Sequence, residues 1–345
     1  MSEVELREPD QLEGVPLPEW RRQVLGHDEA RQGILQLLQT RRLPGGILVH
    51  GPRGIGKATL AFDLARRIFE ATGDEDPHHV AEQVAAGAYP NLQVLRKAAR
   101  DSGKGYYTAI RVDEVRQLIE RLHRTRGRAG HRVVIVDPID DANSSSANAL
   151  LKILEEPPPD TTFLLVSHRP GSLLPTIRSR CHALALRPIA DAEVAEILSA
   201  SRPDADIAHA VALAGGRPRR GFEALLIGDG SALSALQGWL ADPGRPPPAA
   251  HIALADVLAA DKDGAQNQFA RDMLRDWLAA EARNAVVAGA PGRRRLASAT
   301  ELWEKADLMF AEADEYNLDP RQTLVGILDA IRKHALQTAL PQPAP

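Results

Sequence analysis

Apolar positions in the first part of the chain fall into two alternating kinds of run. Residues 47–49, 92–95, 133–136, 162–167 and 181–186 are short and apolar, several rich in β-branched side chains. That is the length and content expected of buried parallel strands. Between them, apolar residues recur at intervals of three and four. Examples are the stretch 30–38, then Leu60, Leu64, Ala65 and Ile68, then Ile110, Val115, Leu118, Ile119 and Leu122, and finally Ala147, Leu150, Leu151 and Leu154. This spacing predicts helices with one buried face. Residues 19–43 are read as one or two helices, with Val24-Leu25-Gly26-His27 as a turn, and 71–90, where periodicity dissolves into Gly, Asp, Pro and His, as a loop or irregular insert. Strands alternating with helices predict an α/β block with a parallel sheet covered on both faces.

Beyond Pro188 the pattern changes. Only helical periodicity is found there, at 191–199, 207–214, 221–226 and 233–240, then a Pro-rich break at 244–250, then 257–260, 267–288 and 302–334. Residues 341–345 read as a disordered tail.

The length of 345 residues fits two or three domains, and 44% hydrophobic with 26% charged residues is the balance of an ordinary globular protein. No apolar run approaches the roughly 20 residues of a membrane span. The polar, acidic residues 1–14 do not read as a signal peptide, and the single cysteine, Cys181, excludes an internal disulfide. A cytoplasmic protein is expected. A net charge of -4 argues against a surface that holds nucleic acid by itself. The local run Arg116, Arg121, Arg124, Arg126, Arg128 and Arg132 reads as a solvated helix face and loop.

The chemistry concentrates first in residues 46–60, GILVHGPRGIGKATL: a strand, a glycine loop and a helix start. Gly51, Gly56 and Lys57 satisfy the phosphate-binding pattern G-x-x-x-x-G-K-[ST], with Gly54 inside it. Backbone N–H groups of such a loop cradle phosphates and the lysine neutralises their charge. The last position is Ala58, whose methyl cannot replace the hydroxyl that ligates Mg²⁺. Thr59 comes next, but one helical step turns a side chain by about 100°, away from that position.

A second stretch is more diagnostic. Leu150, Leu151, Lys152, Leu154, Glu155, Glu156, Pro157 and Pro158, followed after a strand by Ser179, Arg180 and Cys181, resemble the clamp-loader AAA+ family, whose hallmark is L-L-K-x-L-E-E-P-P followed by S-R-C. The resemblance runs from about residue 26 to 226. It implies a P-loop AAA+ core with a parallel sheet over residues 1–188, a helical lid over 189–228 and an all-α collar for oligomerisation over 229–340.

In that family the strand across from the loop ends in an Asp that holds Mg²⁺, followed by a Glu that activates water. Here Asp137 is present, but Pro138 comes after it. Together with Ala58, this resembles a member that keeps the fold without the reaction, rather than the ATP-hydrolysing tau/gamma subunit. Asp140 and Asp141 read as caps rather than substitute bases. The resemblance implies that Arg180 acts as an arginine finger in trans, on the ATP of a neighbouring tau/gamma subunit. It places the chain in a hetero-pentamer with tau/gamma and delta, acting on a sliding clamp and primed DNA during replication, with no polymerase and little or no ATPase activity of its own. Ser167 falls at a strand-end sensor position and Arg219 at a nucleotide-sensing lid position. The loop (Gly51, Gly54, Gly56, Lys57, Thr59), Asp137 and Arg219 either form a vestigial site that holds ATP or ADP without hydrolysis or persist for their turn alone. No cofactor is required by this reading. Many relatives carry a four-cysteine zinc module after the P-loop helix. Here there are only His78 and His79, so no zinc or other metal is expected. The rival reading is an active ATPase of tau/gamma type, favoured by Lys57 and Asp137 and opposed by Ala58 and Pro138. A P-loop kinase of small molecules leaves the leucine-lysine-glutamate-proline helix and the S-R-C turn unexplained.

Overall fold

The computed structural model describes residues 8–101, 105–124, 128–228, 230–247, 249–261, 264–287 and 293–339. Arg126 of the basic run and the 341–345 tail lie outside them. The chain divides into two compact units, residues 1–222 and 223–345.

Unit 1 is built on five strands: β1 (Gly46–His50), β2 (Leu92–Leu95), β3 (Arg132–Val136), β4 (Thr161–Ser167) and β5 (His182–Ala185). They pair in the order β2-β3-β4-β1-β5, and every pairing is parallel. The acidic strand β3 is therefore not beside the loop strand β1. β4 lies between them, which brings Ser167 at its end level with His50.

Helices cover both faces. On one, α1 (Asp28–Gln39), α2 (Lys57–Thr72) and α3 (Pro77–Ala85) join a core of Ile47, Val49, Leu60, Leu64, Ile68, Val133, Ile135 and Leu164. On the other, α4 (Val112–His123), α5 (Ser144–Glu155) and the short α6 (Pro175–Arg178) pack over Leu48, Val134, Val136, Phe163 and Leu165. Alternate residues of one strand thus enter opposite cores, which is why these strands read as unbroken apolar runs. Leu60, Leu64 and Ile68 are fully buried, each contributing about 1.5–3 kcal/mol by the usual area scaling.

The insert at 71–90 departs from the expected loop, because α3 forms within it. The Asp76 carboxylate accepts from the His78 and His79 N–H groups and Pro77 occupies the first turn, a strong helix start. Val80 and Val84, one turn apart, are fully buried. Tyr89 stacks on Phe69 with ring centroids 4.2 Å apart and donates to Glu75 Oε1, while Arg128 pairs with Glu75 Oε2 at 2.6 Å. An ionic and aromatic hub thus ties the insert to its surroundings. Among the described residues no cluster of potential ligands could hold a metal.

α7 (Asp191–Ser201), α8 (Ala208–Ala214) and the first half of α9 (Pro218–Ile227) complete this unit. Gly216, at φ +72°, lies so close to the Ile189 carbonyl that an added Cβ would stand 2.5 Å from it. That contact fixes the turn before α9.

Unit 2 holds the rest of α9 and α10 (Ser231–Ala241), α11 (Ala250–Ala259), α12 (Ala265–Val287), α13 (Arg293–Tyr316) and α14 (Pro320–Ala339). The run expected at 302–334 is two helices, broken where Asn317 turns left-handed (φ 51°) and Pro320 opens α14. Leu233, Leu236, Leu258, Leu274, Leu278, Phe310, Leu324, Ile327 and Ile331 are buried in this unit. Buried His334 bridges Glu281 of α12 (3.0 Å) and Ser298 of α13 (2.7 Å), locking three helices together through one side chain. Among the described residues no helix is long and apolar enough to cross a membrane.

Candidate functional site

The glycine loop leaves the carboxyl end of β1 and enters α2 through three residues of unusual backbone. Gly51, Gly54 and Gly56 have φ of 152°, 85° and 95°, a conformation that disfavours side chains. A Cβ on Gly54 would stand 2.8 Å from that of Arg219, and the Arg219 N–H donates to the Gly54 carbonyl at 3.2 Å. Gly51 N–H donates to the Ser167 carbonyl, and His27, at φ 59° before α1, contacts the Ile55 carbonyl through Nε2 at 2.7 Å. The loop, Arg219 and Ser167, read separately from the sequence, therefore meet in one cleft.

Lys57 is buried, and its ammonium donates to the carbonyls of Gly51 (2.9 Å) and Pro52 (2.7 Å). Burial pulls its pKa down to about 8, with the carboxylates of Asp137 and Asp140 opposing the shift. Ala58 and Thr59 are in the first turn of α2, both partly buried.

Asp137 is at the end of β3, as expected, but it is already engaged. The register of β2 on β3 sets Leu95 opposite Val136, so the next residue of each strand, Arg96 and Asp137, come side by side. The Arg96 guanidinium donates to Asp137 Oδ2 from Nε (3.3 Å) and Nη2 (3.2 Å). It also bonds Glu8 at 2.7 Å and Glu19 at 3.3 Å, and stands 5.4 Å from the Phe62 ring centroid. Three carboxylates around one cation keep Arg96 protonated, its pKa raised despite burial. Burial raises the Asp137 carboxyl, with Arg96 opposing. The Asp137 carboxylate is thus already paired with a positive charge.

Asp140, expected to cap the segment that follows it, caps the end of β4 instead, and Asn143 caps the next helix. The Asp140 carboxylate accepts from Ser167 Oγ (3.1 Å) and from the His168 and Arg169 N–H groups (2.8 and 2.9 Å). All these bonds orient it toward the strand end. Asp141 pairs with Lys97 at 3.0 Å. Burial, then the nearby Lys57 charge, lowers His168 to about 4.

Arg180 stands apart from this cleft. Its neighbour Cys181 packs by Gly46 at the amino end of β1, where a Cβ on Gly46 would lie 3.5 Å from the Arg180 carbonyl. The loop leaves the other end of that five-residue strand, about 15 Å away at the usual rise. The guanidinium is about a third exposed and is held by Glu155 Oε1 (2.7 Å) and the Thr176 carbonyl (3.1 Å). The two halves of the sequence hallmark are therefore joined by a Glu155–Arg180 ion pair. Cys181 is half-buried, its thiol pushed up to about 11 by burial.

Sequence reading misses Arg96, its partners Glu8 and Glu19, and His27. The signal that could reveal Arg96 is the pairing of β2 with β3, which sets the residues just beyond the two strand ends next to each other. The others approach the site from remote segments with no pattern of their own.

A glycine loop between β1 and α2, an acidic residue on the strand one removed, a serine at the end of the strand between and helices beyond the sheet define a P-loop protein of the AAA+ class, joined to an all-helical unit. Residues 26–190 match the family described as DNA polymerase III, delta subunit. A Pseudomonas aeruginosa protein named DNA polymerase III subunit delta' is 38% identical over 178 residues, covering 50% of this chain and 52% of that protein. A Yersinia pestis protein of the same name is 37% identical over 139 residues, 39% of each chain. A gamma/tau subunit of Mycobacterium tuberculosis is 34% identical over 164 residues, 46% of this chain and 27% of that protein. Over residues 26–190 the chain is similar to that family, and it is similar to proteins named DNA polymerase III subunit delta'. It spans about half the length, or less, of the curated relatives it matches.

Proposed function

We propose that this chain is a delta prime-type subunit of a DNA polymerase III clamp loader, an AAA+ protein with no polymerase and little or no ATPase activity of its own. In this role it joins tau/gamma and delta subunits in a hetero-pentamer, contributes Arg180 to the ATP site of an adjacent tau/gamma subunit, and helps load a sliding clamp on primed DNA. Membership is supported by similarity to proteins named delta' and gamma/tau.

The observation that carries the trans role is the position of Arg180, an exposed guanidinium a strand's length from its own P-loop. A planar, permanently charged fork suits stabilisation of phosphoryl charge on a neighbour. Glu155 would hold it in readiness. Catalytic impairment is supported by three features of the chain's own cleft: the methyl of Ala58, Pro138 in place of a base, and Asp137 bound to Arg96. Any ATP or ADP held there would serve as a bound ligand without being consumed.

The test is ATP turnover by the purified chain, alone and mixed with tau/gamma and delta. The expected result is background turnover alone and a stimulated rate in the mixture. Robust magnesium-dependent turnover by the isolated chain would favour a tau/gamma-type motor instead.

A further inference from the structure

The acidic groups of residues 8–20 engage two arginines, one bound to Asp137 and one docked on the glycine loop. Glu8 and Glu19 both bond Arg96. Arg219, whose backbone docks on Gly54, donates from Nη1 to the Asp10 carbonyl at 2.5 Å, with the Asp10 carboxylate 3.6 Å away. The charge of Asp10 is felt by Asp137 and His168, which flank Lys57. The segment is anchored at several points. Arg202 donates to the Glu13 carbonyl at 3.2 Å, Leu17 is buried, and the Trp20 indole N–H donates to the Ala85 carbonyl at 3.0 Å.

Resting on the reading of this cleft as a nucleotide site, we propose that Glu8, Asp10 and Glu19 form a built-in polyanion that closes it. When the segment is displaced, the site takes a nucleoside di- or triphosphate without a divalent cation. Two features argue for this beyond the acidic composition. The contacts fall on Arg219, docked on Gly54, and on Arg96, bound to Asp137, cations that the charges of a polyphosphate would engage. And with Arg96 neutralising Asp137, the usual reason for recruiting Mg²⁺ is gone: the acidic residue already has a cation, and Ala58 offers no oxygen to complete a coordination shell. Lys57 remains at the loop, its ammonium parked on the carbonyls of Gly51 and Pro52 and able to turn to a phosphate.

ADP binding to the full chain, measured by calorimetry in EDTA and again with magnesium, tests both parts. Replacing two of the three carboxylates, Glu8→Gln and Asp10→Asn together, should tighten ADP roughly tenfold, the combined effect of one largely buried and one exposed ion contact. Affinity in EDTA should match that with magnesium to within about twofold. Hydrogen exchange supplies a second readout on the unaltered chain: saturating ADP should speed exchange at the amides of residues 10–17. Binding that is no tighter in the double variant, binding that leaves exchange at 10–17 unchanged, or no detectable ADP binding by either form would overturn the strap. A strong requirement for magnesium would overturn the cation-free site. These readouts concern the isolated chain, so they are independent of whether Arg180 acts on a neighbour.

Discussion

Replacing Arg96 with Met removes one cation and leaves Glu8, Glu19 and Asp137 facing one another without it. All four side chains are largely buried, with 13% of Arg96, 21% of Glu8, 13% of Glu19 and 15% of Asp137 exposed. Breaking a buried pair by removing one partner costs about 3–5 kcal/mol. Partial exposure of the carboxylates favours the lower end, so a loss of about 3 kcal/mol is expected at neutral pH, measured by urea unfolding of the first unit. With an m-value of about 2–3 kcal/mol/M, the midpoint should fall by about 1 M or somewhat more. The pH dependence has a definite sign. Glu8 and Asp137 already have carboxyls raised by burial, so their contribution is present below the ordinary carboxylate range and is lost as pH rises through the raised values. Removing Arg96 pushes both further up, which deepens the loss at neutral pH and relieves it in acid. The gap between variant and parent should therefore narrow as pH falls toward the carboxylate range. A variant within about 0.5 kcal/mol of the parent at neutral pH, the scale of ordinary surface changes, would refute the claim that Arg96 holds the acidic strand end.

Other expectations rest on single contacts. Asp76→Ala should cost about 1 kcal/mol by removing the cap of α3, visible as faster hydrogen exchange at residues 78–80; unchanged exchange would contradict the capped insert. Alkylation of Cys181 by iodoacetamide should be slow at neutral pH and still climbing at pH 9, because its thiol lies up near 11 and the thiolate is the reactive form; a plateau by pH 9 would show a lower value. Glu155→Gln should weaken the stimulation of a reconstituted loader less than loss of Arg180 does, since Glu155 only positions the guanidinium, and a loss as deep as that of Arg180 would assign it a larger part.

The features legible in the sequence are local ones. The strands at 133–136 and 162–167 are read correctly because both faces of each are buried, leaving an unbroken apolar run, and the glycine loop because its turn demands glycines at fixed spacing. The hallmark helix and the S-R-C turn stand out as separate motifs, although their meeting as Glu155 and Arg180 does not. The insert helix is missed even though Asp76-Pro77 and the pair Val80 and Val84 carry a legible start and face; the surrounding Gly, Asp and His mask a period of only two turns. The Arg96 cluster is not legible at all. Its partners lie 41, 77 and 88 residues away, and only the sheet register and the path of residues 8–20 bring them together. The central feature of the cleft, an acidic residue bound by an arginine, is a tertiary fact with no sequence motif of its own.

The most direct test of the trans role of Arg180 is steady-state ATP turnover by a clamp loader reconstituted with Arg180→Ala and, in parallel, Arg180→Lys. Alanine should lower turnover by about 10³-fold or more at the adjacent site, lysine should rescue little because a point charge does not reproduce the planar fork, and the assembled complex should remain intact by size-exclusion chromatography. Turnover unchanged by Arg180→Ala in an intact complex would contradict that role.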